Sequence, residues 1–597
     1  MYIPLNLGSP KKSVSTTSTG AIKGVNLFQA PEFLKTDYCQ KNENYIIEKE
    51  GELKKRGGSS LVFTVAGYNP ISMLEEFTTD IWIFGYSNIV SAYTISTDTV
   101  TVIKNDFTTS DPFSGQRVGD YFFVCNGGDK IGRITRTLGY DAQTANFTAG
   151  LVVTGGTSGA KGVILEDADG GATGTLTLGD ITGTFADNEN ITDTATGSAT
   201  VNGTLIFTFT SVADAPKASV LFNFGNRIYA GNIEGNSSKI QWSRADNGSN
   251  PPFTDWTASA TPPESGDASS LTFRNAGVFK SFASLGQQLV AFFDKGKAGF
   301  RIDTIDVSGV GLSQYTITDF QTIDFGGERG AIYTPKGIFY VNEAGIWQMI
   351  SGGSTNQPFS EQSGNISRIL GEDFIDSINF TDASIVFDAK RNIVMVSCRQ
   401  NSDFNNLVIW YNIETKNFGT FKGWNIKRFF KVDTVIYASS SIETKVYKLF
   451  DGSDDDGVNI DTFLKQEVKF GALDDLIELV TTKIKGFFSS GSNIQVSFDI
   501  YDSDGILTED YKTYTLISAG LQANAEGFNE FSFGDGFGGG VDSLNNIETR
   551  GAKRTRIREF TRLIMKIRST DSFPHKFTWI ALEGKIKGYN KRKNNLN

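Results

Sequence analysis

His575, in the segment FPHKFTW, is the only histidine in the chain, and that limits the proton-transfer chemistry one copy can build. A Ser-His-Asp or Cys-His arrangement would have to recruit this single imidazole, and a metal site of several histidines cannot be assembled within one chain. A strand-edge or loop histidine is the simpler reading. Cys39, Cys125 and Cys398 are odd in number, far apart and without a Cys-x-x-Cys pair. They suggest neither a disulfide framework nor a zinc site, and assembly in a reducing cytoplasm fits best.

Three other patterns invite a chemical reading. DGSDDDG, from Asp451 to Gly457, offers carboxylates at alternate positions to a hard cation, but Asp456 stands where an EF-hand loop needs glycine and Thr462 where it needs a bidentate glutamate, so an inter-strand turn is favoured. DFGGERG (Asp324 to Gly330) and the glycine run near Gly538 lack the Lys-Ser/Thr ending and strand-to-helix context of a phosphate-cradling loop. KKRGG, at Lys54 to Gly58, follows ENYIIEKEGEL and reads as a charged hairpin before it reads as a DNA contact. Abundant Asp and Glu leave a glycosidase carboxylate pair possible in principle. Trp242, Trp256 and Trp347 would then be sugar-stacking platforms, although their place within hairpins points to core. No catalytic residue, cofactor site or metal site is expected.

The elements that would position these residues are strands. Of 597 residues, 39% are hydrophobic and 21% charged, as in a globular chain, while 64 Gly and 47 Phe among short Thr-, Ser-, Asn- and Asp-bounded apolar runs favour strands joined by turns. An all-β architecture is expected. The N-terminal residues MYIPLNLGSPKKSVSTTSTG contain no signal-peptide core, and no run of about eighteen apolar residues occurs, so membrane insertion is not expected. The net charge of −11 argues against a broad basic nucleic-acid surface. A conduit for DNA, by contrast, benefits from a wall that repels phosphate.

Hairpins such as TTDIWIFGYSNIVSAYT, GDYFFVCNGGDKIGRIT, FGNRIYAGN and KGIFYVNEAGIWQMI recur at a spacing of roughly forty to sixty residues, the length of a four-stranded propeller blade. Residues 61–144 and 206–450 are read as a β-propeller, with two stacked sandwiches as the alternative. Residues 145–205 form an inserted small β-domain with Gly-containing turns, in which TSGAKGVI and TGSATVNG repeat each other in outline. Glu166, Asp167, Asp169, Asp187 and Glu189 make this module acidic and define a candidate acidic surface, either a repulsive channel wall or a solvated face. Residues 451–597, with longer alternating strands, read as a C-terminal β-sandwich-like domain, and residues 1–60 as an N-terminal segment and hairpin. The stretch Gly536, Phe537, Gly538, Gly539 and Gly540 is too rich in glycine for a strand and is the candidate gate loop of a channel.

Val25 to Ser60, with Asn26, Phe28, Cys39, Asn44, Tyr45, Gly51, Leu53, Arg56 and Gly58, resembles the opening of the tail nozzle proteins of short-tailed bacteriophages. FGNRIYAGN followed by IQWSRADNGSNPPFTDWT is similar to the family's characteristic blade, IWYNIETKNF to a later one, and DGSDDDGVNID to the boundary before its C-terminal domain. This family is also described as tail tubular protein B or packaged-DNA stabilisation protein. The resemblance implies a non-enzymatic virion protein, assembled in the host cytoplasm as a hexameric ring in the virion tail. It implies as partners the portal and head-to-tail adaptor, tail fibres or tailspikes, and double-stranded DNA as cargo, retained until ejection. The acidic insertion departs from the simplest members. A carbohydrate-binding or carbohydrate-cleaving propeller and another baseplate or fibre-attachment protein are the alternative functions.

Overall fold

A computed structural model describes residues 13–19, 25–27, 38–47, 52–67, 69–110, 112–245, 252–257, 268–285, 288–307, 310–322, 330–354, 357–359, 364–468, 475–488, 493–501, 507–517, 548–560 and 562–589. The chain is all-β; among the described residues the helical segments are the short turns Ile366–Leu370 and Glu372–Asp376. Two-residue turns of the kind read from the sequence join many strands. At Gly225-Asn226, for example, both residues adopt positive φ, 55° and 60°, the primed-turn geometry that suits strand twist.

Among the described residues, five separate four-stranded antiparallel sheets, and four strands in each of two nine-stranded sheets, make seven similar units. Their leading strands are Ile71–Thr78, Ser114–Val118, Ala218–Phe224, Phe279–Leu285, Ala331–Thr334, Ile378–Asp388 and Ile426–Val432, which number units 1 to 7. Each leading strand packs on the next, and Ile426–Val432 returns to Ile71–Thr78, closing the series into a ring. Side chains stitch neighbouring units together: Phe113 N donates to Ser72 Oγ (3.1 Å), Leu221 N to Ser114 Oγ (3.0 Å), Phe429 N to Ser384 Oγ (3.0 Å), and Ser439 Oγ to Ile71 O (2.7 Å). The seventh unit takes its outer strand, Ser59–Thr64, from near the N-terminus, paired with Lys445–Leu449.

Apolar clusters lie between units. Met73, Ile83 and Val90 of unit 1 meet Phe122, Val124 and Ile134 of unit 2, and Ile240 and Trp242 of unit 3 meet Phe279, Leu289 and Phe293 of unit 4. Middle strands are therefore covered on both faces. That is why Ile81–Tyr86 and Tyr121–Cys125 are buried at every position and read as unbroken apolar runs instead of alternating ones.

The insertion grows from the third strand of unit 2, Gly132–Ala145. The outer half of that strand pairs on one side with Gly174–Thr182 and on the other with Ser198–Val201. Through Lys161–Asp169, Val152–Gly155 and Asn190–Asp193 the pairing closes on itself, giving a six-stranded barrel with its own core of Leu138, Tyr140, Ile164, Leu176, Ile191 and Val201 among others. A closed barrel has no open edge to protect. The two similar hairpins lie side by side, joined antiparallel through their first strands at Val153 and Asp193.

The N-terminal segment does not stand apart. Lys41–Glu43 bridges the outer strand of unit 6, Phe418–Lys422, to Thr462–Val468 of the C-terminal region. Arg562–Ser569, Asn493–Tyr501 and Leu507–Ile517 continue that sheet. A second sheet combines Ser13–Thr19, Tyr45–Ile47 and Leu53–Lys55 with His575–Tyr589, Asp475–Phe488 and Glu548–Phe560. Tyr45, Ile47 and Leu53 of one sheet and Leu464, Phe498 and Met565 of the other share one apolar core.

Candidate functional site

Two of the segments carrying the family resemblance, the opening stretch and the 451–461 boundary, meet at one buried joint between the ring and the terminal sheets. Asn44, at φ 61° between two short strands, sends Nδ2 to Asp461 O (2.6 Å) and accepts at Oδ1 from Arg56 Nε (2.9 Å) and Lys422 N (2.8 Å). Its amide thus pins three distant stretches of chain.

Arg56 is the centre of the joint. Its side chain is fully buried and its guanidinium forks onto Asp455, at 2.8 Å from Nη1 to Oδ1 and 2.5 Å from Nη2 to Oδ2. Further bonds reach Gly57 O (3.0 Å) and Lys422 O (2.9 Å), and the cation lies 4.1 Å from the Trp424 ring centroid. Trp424 Nε1 donates to the same Asp455 (2.8 Å). A charge this deep is tolerated because its donors meet acceptors and the opposite charge is beside it. Gly58 is required here: a Cβ would stand 1.7 Å from Asp454 O. KKRGG is therefore internal structure, and the DGSDDDG turn serves as its receiving socket. Asp454 Oδ1 meanwhile accepts from Gly457 N (2.8 Å), and Asp451 from Ser60 Oγ (2.6 Å). Among the described residues no three His, Cys, Asp or Glu side chains are grouped to hold a metal.

His575 belongs to the same joint and is wholly buried. Nδ1 lies 3.3 Å from Phe573 O, so it carries the proton, and Nε2 accepts from the Tyr45 hydroxyl at 3.0 Å. Thr462 Oγ1 donates to that hydroxyl (3.0 Å). Burial, with the Lys55 cation next in effect, lowers the imidazole pKa from 6.5 to about 4. Lys55 bonds the Asp571 carbonyl, and burial lowers its ammonium to about 8. Cys39, bridged to Val25, is buried and its thiol is pushed up to about 12; burial likewise raises Cys125 and Cys398. These thiols are inert packing groups.

The predicted acidic surface is not one face. Glu189 is a correction: at 4% exposure it is interior. It accepts from Thr157 N and Oγ1, Ser158 N and Oγ, and Ala186 N, at 2.7 to 3.0 Å. Burial alone would raise its carboxyl, but these donors, led by Ser158, hold it at about 2. Glu166 is neutralised by Arg133 through paired bonds of 2.6 and 2.9 Å. Asp167 accepts from the Tyr140 hydroxyl (2.8 Å), Asp169 from Asn146 Nδ2 (2.9 Å) and Asp187 from Gly203 N (2.8 Å). The sequence did not signal Arg133 or Ser158 as partners, since neither stands within a turn's reach of its carboxylate.

The candidate gate residues Gly536, Phe537, Gly538, Gly539 and Gly540 lie outside the described residues. Trp242 and Trp256 are buried at 0% and 3% exposure, and half-buried Trp347 stacks on Tyr340 and donates to Asn342 Oδ1 (2.8 Å). None of the three presents an open face for a sugar.

No family model matches the chain, and no curated protein matches it. Among solved structures, the computationally designed Ika8 protein aligns at 10% identity with TM-score 0.34, covering 66% of this chain and 100% of that one. YCF48 bound to D1 peptide aligns at 10% identity with TM-score 0.33, over 65% and 97% of the two chains. Hsv2 of Kluyveromyces lactis aligns at 11% identity with TM-score 0.22, over 59% and 97%. The class defined by the fold is all-β: among the described residues, seven four-stranded units with an inserted barrel and two terminal sheets.

Proposed function

We propose that this chain is a structural subunit of the tail nozzle of a short-tailed phage, a propeller-bearing protein that assembles into a six-fold ring. The ring lies below the portal and adaptor, carries tail fibres or tailspikes, retains packaged DNA and passes it at ejection. One observation carries the reading: several of the residues that resemble the nozzle family, Asn44, Tyr45, Arg56, Gly58 and the 451–461 stretch, meet in a single interlocked joint. Motif residues that must meet to join two parts of a molecule fit a family held together by architecture rather than by chemistry. Closed rings need two complementary surfaces per subunit, and the terminal sheets and the ring units give each copy two unlike bodies. Assembly would place the protein in the host cytoplasm and then the virion tail.

Negative-stain imaging of the purified chain, alone and with its adaptor, tests this reading. Six-fold rings with an axial hole are expected. A monomer under both conditions that cleaves a polysaccharide would overturn it.

A further inference from the structure

RIDTIDVSGVGLSQYT, residues 301–316, carries Ile, Val, Leu and Tyr at intervals around a Ser-Gly turn. It forms the far end of the long hairpin Gly296–Val307 and Val310–Thr322, the third and fourth strands of unit 4. The second strand, Gln288–Phe293, accompanies the third only as far as Phe300. Beyond that point seven residue pairs, from Arg301 opposite Thr316 to Val307 opposite Val310, continue as a ribbon of two strands, roughly 20 Å long. The register puts Ile305 with Leu312 and Val307 with Val310 on one face near the tip, and Ile302 with Tyr315 on the other. Among the described residues the main neighbour of the hairpin outside its own sheet is the short strand Gln357–Phe359. A two-stranded hairpin is marginal in water by itself, so a ribbon with an apolar tip calls for a partner.

The outer strand of unit 1 has the complementary deficiency. Thr99–Lys104 pairs on one side with Ile89–Thr94 and ends its sheet. Thr99, Val100, Thr101 and Val102 are exposed in succession, Val102 to 52%. An open edge of β-branched residues is a template for a further strand, and proteins blunt it with charge, proline or a covering segment. Lys41–Glu43 covers the outer strand of unit 6 in this way. In TVTVIK the single charge is Lys104, at the end of the strand and paired with Asp106.

Position in the ring relates the two. In a closed series of seven, unit 4 stands across from the boundary of units 7 and 1, so the ribbon and the open edge lie on opposite sides of each copy. A head-to-tail contact needs two unlike, complementary surfaces placed apart on one chain. Main-chain pairing of an added strand supplies affinity, and the apolar residues beside it supply side-chain contacts.

We propose that the unit 4 ribbon, residues 301–316, docks by strand addition on the outer edge Thr99–Lys104 of unit 1 in a second copy of this chain. The inference deepens the ring reading by naming its subunit contact, and it rests on that reading in requiring that copies associate.

Light scattering of the full chain beside a variant with residues 302–315 replaced by Asn-Gly tests it, since Arg301 and Thr316 remain to close unit 4. The parent is expected to assemble and the variant to have the mass of a single chain, with an unchanged melting temperature. Val100→Lys combined with Val102→Lys, both at exposed positions, is expected to raise the concentration for half-assembly at least about tenfold. A benzophenone maleimide coupled to Val102→Cys should capture, on illumination, a peptide from 301–316 of another copy, identified by mass spectrometry; the native Cys39, Cys125 and Cys398 are buried and do not compete for the label. Assembly of the ribbon-deleted chain to the parent's mass, capture of a different stretch, or a parent that stays monomeric overturns the proposal. Six-fold rings formed without the ribbon would do so while leaving the nozzle reading intact.

Discussion

Glu189 and Arg56 are charged side chains that fold inward, and each organises a loop it could not reach in sequence alone. Replacing Glu189 by Gln leaves one acceptor oxygen for donors that now share two, with an expected loss of about 2 kcal/mol. The loss should appear as faster amide exchange at Thr157 and Ser158, with smaller changes in the ring units. The carboxyl is held at about 2 against an ordinary 4.5, so its stabilising contribution is present above pH 4.5 and disappears as pH falls toward 2. The variant should lack that acid slope. His575 titrates in a higher window. Its imidazole is held near 4 against 6.5, so the unfolded chain takes up the proton first and stability falls as pH drops from 6.5 toward 4. His575→Phe retains a ring against Tyr45, whose hydroxyl keeps Thr462 as a partner. Melting curves of this variant across that range should be flatter than those of the parent.

At the scale of elements, the hairpins were legible because turn residues and apolar runs are local signals. IWIFGY, YFFVC and LVIWYN each form a middle strand. The inserted module was also legible as a separate β-unit, from its composition and paired Gly-containing turns. Its closure into a barrel was not, because this depends on one strand, Gly132–Ala145, serving two partners at its far end. Equally hidden was the pairing of Arg56 with Asp455, two residues in separate charged clusters with no local pattern linking them. Arg56→Lys keeps the charge but not the fork. We expect it to cost about 3 kcal/mol, near the lower end for a broken buried pair. Limited proteolysis should then release the terminal strands before the ring units are cut. Gly58→Ala, whose methyl has nowhere to go, should do the same even with Arg56 intact.

For the whole molecule, the barrel and the ring have separate cores. The last rung between the third and fourth strands of unit 2 is Thr137 opposite Ile206. Replacing residues 138–205 by an Asn-Gly turn should therefore leave a complete four-stranded unit. Thermal unfolding of that shortened chain is expected to fall by only several degrees, the cost of losing the partly buried Arg133–Glu166 pair and the Leu165 packing on the ring. A collapse in melting temperature would show that the barrel supports the ring.

The borrowing of Ser59–Thr64 by the seventh unit has a consequence for synthesis. The strand emerges from the ribosome early, but its partner, Lys445–Leu449, follows almost four hundred residues later. The neighbouring strands Lys41–Glu43 and Leu53–Lys55 wait longer still, for Thr462–Val468 and His575–Tyr589. A chain interrupted anywhere before the last of these segments keeps an unmatched edge, and one interrupted before Asp455 also an uncovered Arg56, so the fold itself withholds completion from unfinished copies.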